Sequence, residues 1–214
     1  MDESTGIVAV SCDAYFNIKK AKPTVTITTS DKYDTEPGAA PLLDCGYKTF
    51  TITHYTAGYT SATATADSYT QYTTTGVKVN AANANRLQVL VPDETAEPGD
   101  VNNGGKKGTV KTQTAGVSFT VTVNATDSKY NLVNLNNSTA TVTTADEFDI
   151  NPGERKLMAG TTSFSVTMVT AKSDGWTIKA EDLDGALPTL NDGLSSNVPV
   201  NPNVAAKLQL VLPG

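Results

Sequence analysis

The sequence predicts an all-β fold: two tandem β-sandwich domains, the first without its opening strand. Three observations predict it. Runs such as Val117, Phe119, Val121 and Val123, separated by Ser118, Thr120 and Thr122, alternate apolar and polar residues with the period of a half-buried strand. The second half of the chain repeats the first. The two copies differ at their start, and a surplus run closes the chain.

The repeat is specific, and repeats govern the choice of fold. Thr26-Ile27-Thr28-Thr29-Ser30-Asp31 returns as Thr141-Val142-Thr143-Thr144-Ala145-Asp146, and Pro37-Gly38 as Pro152-Gly153. Phe50-Thr51-Ile52-Thr53 returns as Phe164-Ser165-Val166-Thr167. Val77, Val79 and Asn80 match Val198, Val200 and Asn201. Each copy then runs into a near-identical segment, Arg86-Leu87-Gln88-Val89-Leu90-Val91 or Lys207-Leu208-Gln209-Leu210-Val211-Leu212.

Taken in order, the first copy supplies strands at Val8 and Val10, Thr24 to Thr28, Phe50 to Tyr55, Ser61 to Thr65 and Val77 to Asn80. The second opens with the Arg86 run and a loop through Pro98-Gly99 and Asn103-Gly104-Gly105, then reaches its Val117 strand. Turns follow at Ser128 to Asn131, Asn151-Pro152-Gly153 and Ser173-Asp174-Gly175, between strands at Thr139 to Thr143, Ser163 to Val169 and Trp176 to Ala180. A long loop, 181–196, leads to Val198 and Val200. The expected burial is Val117, Phe119, Val121, Phe164, Val166 and Trp176. In the first copy Gly6 stands where Gly116 stands in the second, so the first copy lacks the opening strand. The domains run 1–85 and 86–206, with 207–214 as a surplus strand of the missing type.

Composition narrows function. Of 214 residues 38% are hydrophobic and 18% charged, enough apolar content for a core. Thr, Val, Ala and Asn abound while helix formers are sparse. A net charge of −6 opposes nucleic acid and anionic membrane as partners, and no run reaches the ~20 apolar residues of a membrane span. Such a composition suits an extracellular or cell-surface protein. Cys12 and Cys45 form the only intrachain pair and are expected to be bonded across the first domain in that setting.

Chemistry is thin. The single histidine, His54, takes the place of Met168 and reads as packing. There is no phosphate loop, no nucleophile elbow and no multi-histidine metal set. Asp182, Asp184 and Asp192 are the best calcium candidates, but they lack the spacing of a calcium loop, so a solvated acidic loop is the preferred reading. Asn124, Asn136 and Asn137 head glycosylation acceptor triplets. No catalytic residues and no cofactor are expected.

The run AGVSFTVTVNATDSKYN with the following TATVTT, SFSVTM and the Leu-Gln strand resembles bacterial immunoglobulin-like repeats, which stand in tandem in large cell-surface proteins and adhesins. The resemblance implies a Greek-key, immunoglobulin-like sandwich serving as a spacer, stalk or adhesive module, without catalysis, and with a surface or matrix ligand as a further partner. The surplus strand, Cys12 and Cys45 depart from it.

The resulting expectation is a protomer that joins copies of itself head to tail. Leu208, Leu210 and Leu212 act as a donor strand, inserted in an acceptor groove lined by Val8 and Val10 in the next subunit. The alternative is a fragment of a tandem stalk or adhesin, the surplus strand belonging to a further repeat.

Overall fold

The computed structural model describes residues 4–150, 152–185 and 189–211. Asn151, from an expected turn, and Leu212, from the expected donor strand, lie outside the described residues. The strands of the first half are β1 (Ser4–Val10), β2 (Thr24–Thr29), β3 (Ala40–Pro41), β4 (Tyr47–Thr53), β5 (Gly58–Thr60), β6 (Ala62–Thr65), β7 (Tyr72–Thr73) and β8 (Val77–Val79). Then come β9 (Arg86–Leu90), β10 (Thr95–Ala96), β11 (Lys106–Lys107), β12 (Gln113–Thr114), β13 (Phe119–Thr126) and β14 (Thr139–Thr144). The remainder are β15 (Glu154–Lys156), β16 (Thr161–Val166), β17 (Lys172–Trp176), β18 (Ile178–Asp182), β19 (Gly193–Leu194) and β20 (Val198–Asn201). Among the described residues the one helical turn is Val101–Asn103.

The chain forms two compact units. Unit 1 draws its described residues from Met1–Asn83, Ala96–Lys106 and Thr126–Val133, and unit 2 from the rest. The sequence division at 85/86 assigns 96–106 and 126–133 to the second copy, whereas packing groups them with the first.

Unit 2 holds the sheets β16-β13-β9, β15-β14-β18-β19 and β12-β20-β17. β12 pairs parallel with the last strand, β20, and the other pairings with a known register are antiparallel. This is the immunoglobulin-like sandwich, in which one sheet carries the opening strands and the chain crosses to pair with the closing strand. Alternation fills its core: Val121 and Val123 of β13, Phe164 and Val166 of β16, Val142 of β14, Ile178 and Ala180 of β18, and Val198 and Val200 of β20 are all buried.

Three expectations fail here. Val117 is half exposed, because the chain turns at Gly116 and β13 begins only at Phe119. Ser173-Asp174-Gly175 does not form a turn: it lies inside β17, whose pairing with β20 shifts register between Lys172 and Trp176. Trp176 is only partly buried.

Unit 1 is thinner. Its sheets are β1-β4, β3-β2-β6-β7 and β5-β8, around a core of Ala9, Val25, Ile27, Leu42, Phe50, Ile52 and Ala62. The β1–β4 register sets Ile7 opposite Phe50 and Gly6 opposite Thr51, just as Val121 is opposite Phe164 and Thr120 opposite Ser165. Gly6 is therefore the counterpart of Thr120, not of Gly116.

That register corrects the groove. Facing residues of an antiparallel pair share a side, so Ile7 follows buried Phe50 inward, together with Ala9. Val8 and Val10, opposite Thr49 and Tyr47, face outward and are 53% and 42% exposed. They do not line an inward groove.

Candidate assembly site

β13 is flanked on both sides, by β16 and by β9. Its counterpart β1 pairs with β4, and among the described residues no strand pairs with its other edge. Such an edge presents unpaired N–H and C=O groups, a template for a further strand.

The occupant of the equivalent slot in unit 2 shows what fits. Leu87, Gln88, Val89 and Leu90 of β9 are all buried. Gln88 Oε1 accepts a hydrogen bond from Asn124 Nδ2 (3.2 Å), whose own Oδ1 accepts from Thr161 Oγ1 (2.7 Å). At one end the Leu87 N–H donates to Asn191 O at 2.9 Å. A strand of this sequence is thus read on both faces: the alternate apolar residues enter the core and the glutamine meets a polar partner outside it.

The segment of the same sequence type after β20 is bare. Residues 202–211 belong to no strand, and Leu208 and Leu210 are exposed. Leu208 and Leu210 therefore stand in solvent, with the match to β9 in their sequence and not in any pairing.

The remaining candidates are accounted for locally. Asp182 Oδ2 accepts the Leu190 N–H (3.0 Å), Asp184 Oδ2 the Thr139 N–H (2.8 Å), and Asp192 pairs with Lys179 Nζ at 2.8 Å. Asp182 and Asp184 thus tie backbone segments and Asp192 a lysine side chain, and among the described residues no cluster fit for a metal ion occurs. Asn124 is buried on β13, its amide engaged as above, so it presents no acceptor for a glycan.

Cys12 and Cys45 are free thiols, in place of the expected bond. The β1–β4 ladder continues one step through Ser11 N–H to Gly46 O at 2.8 Å, which makes Cys12 and Cys45 the next facing positions. Cys45, however, lies in the tight turn closed by Gly46 N–H to Leu43 O, and its Sγ turns back to Tyr47 O at 3.7 Å. The glycine is required there: Gly46 has φ +83°, and a Cβ would sit 2.3 Å from Lys19 O.

His54 is buried, with Nδ1 3.9 Å from Asp31 Oδ2. Asp31 is itself an anchor: it accepts Tyr55 N–H (2.8 Å), Thr56 N–H (2.9 Å), Thr56 Oγ1 (2.7 Å) and Tyr33 N–H (3.1 Å). Burial pushes its pKa up, but the hydrogen bonds from Thr56, Tyr33 and Tyr55 outweigh this and hold it below the ordinary carboxylate value. Asp146 holds Val169 and Thr170 in the same way in unit 2. The pair was visible in the sequence only as the aspartates that end the matching runs Thr26 to Asp31 and Thr141 to Asp146. Their hold on a turn more than twenty residues away was not.

No protein-family model matches the chain, and no curated protein matches it in sequence. Among solved structures it is similar to the D0-D1 domain of Intimin, at 15% identity over 92% of this chain and 90% of that one, with a TM-score of 0.34. The adhesin InvE of Yersinia pseudotuberculosis is 16% identical over 94% of this chain, with a TM-score of 0.35, and the match spans 55% of that adhesin chain. A glycosyl hydrolase family 2 member from Bacteroides cellulosilyticus is 9% identical over 94% of this chain, with a TM-score of 0.39, and the match spans 23% of the hydrolase chain. At TM-scores this low none of the three transfers a family or an activity to this chain.

Proposed function

We propose that the protein is a non-catalytic, extracellular or cell-surface structural protomer that assembles head to tail. The segment after β20 of one copy adds to the open edge of β1 in the next. The carrying observation is the asymmetry of the two copies: β13 has β9 beside it, β1 has no second neighbour among the described residues, and the exposed segment repeats the β9 sequence. By the β9 pattern, Leu208 and Leu210 face inward toward Ile7 and Ala9, and Gln209 lies beside Val10 as Gln88 lies beside Asn124. Val8 and Val10 thus flank the inserted strand on its outer side. Burying each leucine is favourable by ~1.5–3 kcal/mol, and the ladder satisfies the β1 edge. Donor and acceptor differ, so the contact is heterologous and gives an open filament.

A second reading, a segment of a tandem stalk or adhesin, is favoured by the duplication itself: a further repeat would open with a strand of this type. Electron microscopy and light scattering of the purified chain separate the two. Long polymers that Leu210→Asp abolishes, with both units still folded, are expected. Monodisperse particles at high concentration, or polymers indifferent to Leu210→Asp, would leave the stalk reading.

A further inference from the structure

Two loops of this chain are built alike. In the first, Asp13 Oδ1 accepts Tyr15 N–H (2.9 Å) and Asn17 N–H (3.0 Å), Asp13 N–H donates to Asn17 O (2.9 Å), and Phe16 has φ 62°. In the second, Asp127 Oδ1 accepts Lys129 N–H (2.9 Å) and Asn131 N–H (3.0 Å), Asp127 N–H donates to Asn131 O (3.0 Å), and Tyr130 has φ 63°. The second follows β13 directly, and the first follows β1 after Ser11 and Cys12.

Their surroundings differ. Within unit 1 the second loop is docked: Asn131 Nδ2 donates to Tyr55 O (2.8 Å), Ala57 N–H to Asn131 Oδ1 (2.7 Å), and Ala82 N–H to Asp127 Oδ2 (2.9 Å). Lys129 Nζ stands 3.7 Å over the Tyr55 ring. Among the described residues the first loop has only the edge-on ring contact of Phe16 with Tyr72, at 6.5 Å between centroids, and no hydrogen bonds of this kind; its Tyr15 is 85% exposed.

A matching receptor exists on unit 2. Asp146 holds the N–H groups of Val169 and Thr170, both at 2.8 Å, as Asp31 holds those of Tyr55 and Thr56, so Val169-Thr170-Ala171 corresponds to Tyr55-Thr56-Ala57. The match of Val79-Asn80 to Val200-Asn201 makes Asn203 the counterpart of Ala82. Among the described residues, Val169 C=O, Ala171 N–H and Asn203 N–H make no hydrogen bond, and Val169 is 39% exposed.

We infer that the Asp13–Asn17 loop docks on unit 2 of a second copy of this chain. The Asn17 amide bridges Val169 C=O and Ala171 N–H, Asp13 Oδ2 takes the Asn203 N–H, and Tyr15 covers Val169 as Lys129 covers Tyr55. The inference rests on the head-to-tail reading, and the connectivity agrees with it. Asn203 lies four residues before Lys207, as Ala82 lies four before Arg86 of β9. A tail inserted along β1 therefore brings Asn203 to the end of β1, where the loop begins.

Hydrogen exchange on the assembled full chain tests it, comparing the parent with Asn17→Ala and with Leu210→Asp. In the parent polymer, slowed exchange is expected at Ala171 and Asn203 as well as at Leu208 to Val211. In Asn17→Ala the tail amides should stay protected while Ala171 loses its protection. Tail protection in the parent without slowing at Ala171 and Asn203 would overturn the loop contact and leave filament assembly standing. No tail protection and no polymer in the parent would overturn both.

Discussion

Asp31 Oδ2 receives the N–H of Tyr55 at 2.8 Å, closing the turn after β4 with a buried carboxylate from the end of β2. Three further donors converge on the same side chain. Asp31→Ala would strand these donors without an acceptor, and unit 1 should lose about 2–4 kcal/mol of stability, read from the denaturant midpoint at unchanged slope. A loss under about 1 kcal/mol would mean that water replaces the carboxylate freely.

The same carboxylates set an acid limit. Burial acts to raise the pKa of both Asp31 and Asp146, but hydrogen bonds from Thr56, Tyr33 and Tyr55, and from Thr170, Val169 and Phe148, leave both below 3.8 in the fold. A depressed folded pKa contributes stability that is fully present above 3.8 and lost as pH falls through the folded value. Circular dichroism should therefore show thermal stability level from neutrality down to about pH 5 and falling below about pH 4. In Asp31→Asn the fall should be shallower, and an unchanged profile would assign the acid limit elsewhere.

Gly193 of β19 lies against β9: a Cβ there would stand 2.6 Å from Leu87 O. Gly193→Ala should force the two backbones apart and cost unit 2 about 1–3 kcal/mol by thermal or denaturant unfolding. A neutral result would show that the slot for a strand of this sequence yields readily.

Continued past Val10 and Tyr47, the β1–β4 register pairs Ser11 with Gly46 and would next pair Cys12 with Cys45, the cross-strand placement a disulfide can bridge. Exchange with oxidised glutathione should join them, with two glutathione thiols released per bond formed. Titratable thiols in denaturant should fall from two to none, and unit 1 should gain about 2–4 kcal/mol. Persistence of two thiols after such treatment would show that the Leu43–Tyr47 turn holds Cys45 away.

The sequence by itself determined the strand content, the duplication and the unequal start, because period-two alternation and a shared run of residues are local properties of the text. Phe50 and Phe164, Ile52 and Val166 could be matched by reading alone, and they are buried in both units. The tertiary structure decided which face of β1 turns inward. Alternation in Ile7-Val8-Ala9-Val10 is apolar on both parities, and only the pairing of Ile7 with Phe50 breaks the tie, since a slip of one residue inverts every side chain. It also set Asp182 and Asp184 against backbone N–H groups and Asp192 against Lys179. And it separated two loops of nearly the same type, docking Asp127–Asn131 by hydrogen bonds and leaving Asp13–Asn17 largely exposed, because a hydrogen bond needs its partner in space and not in sequence.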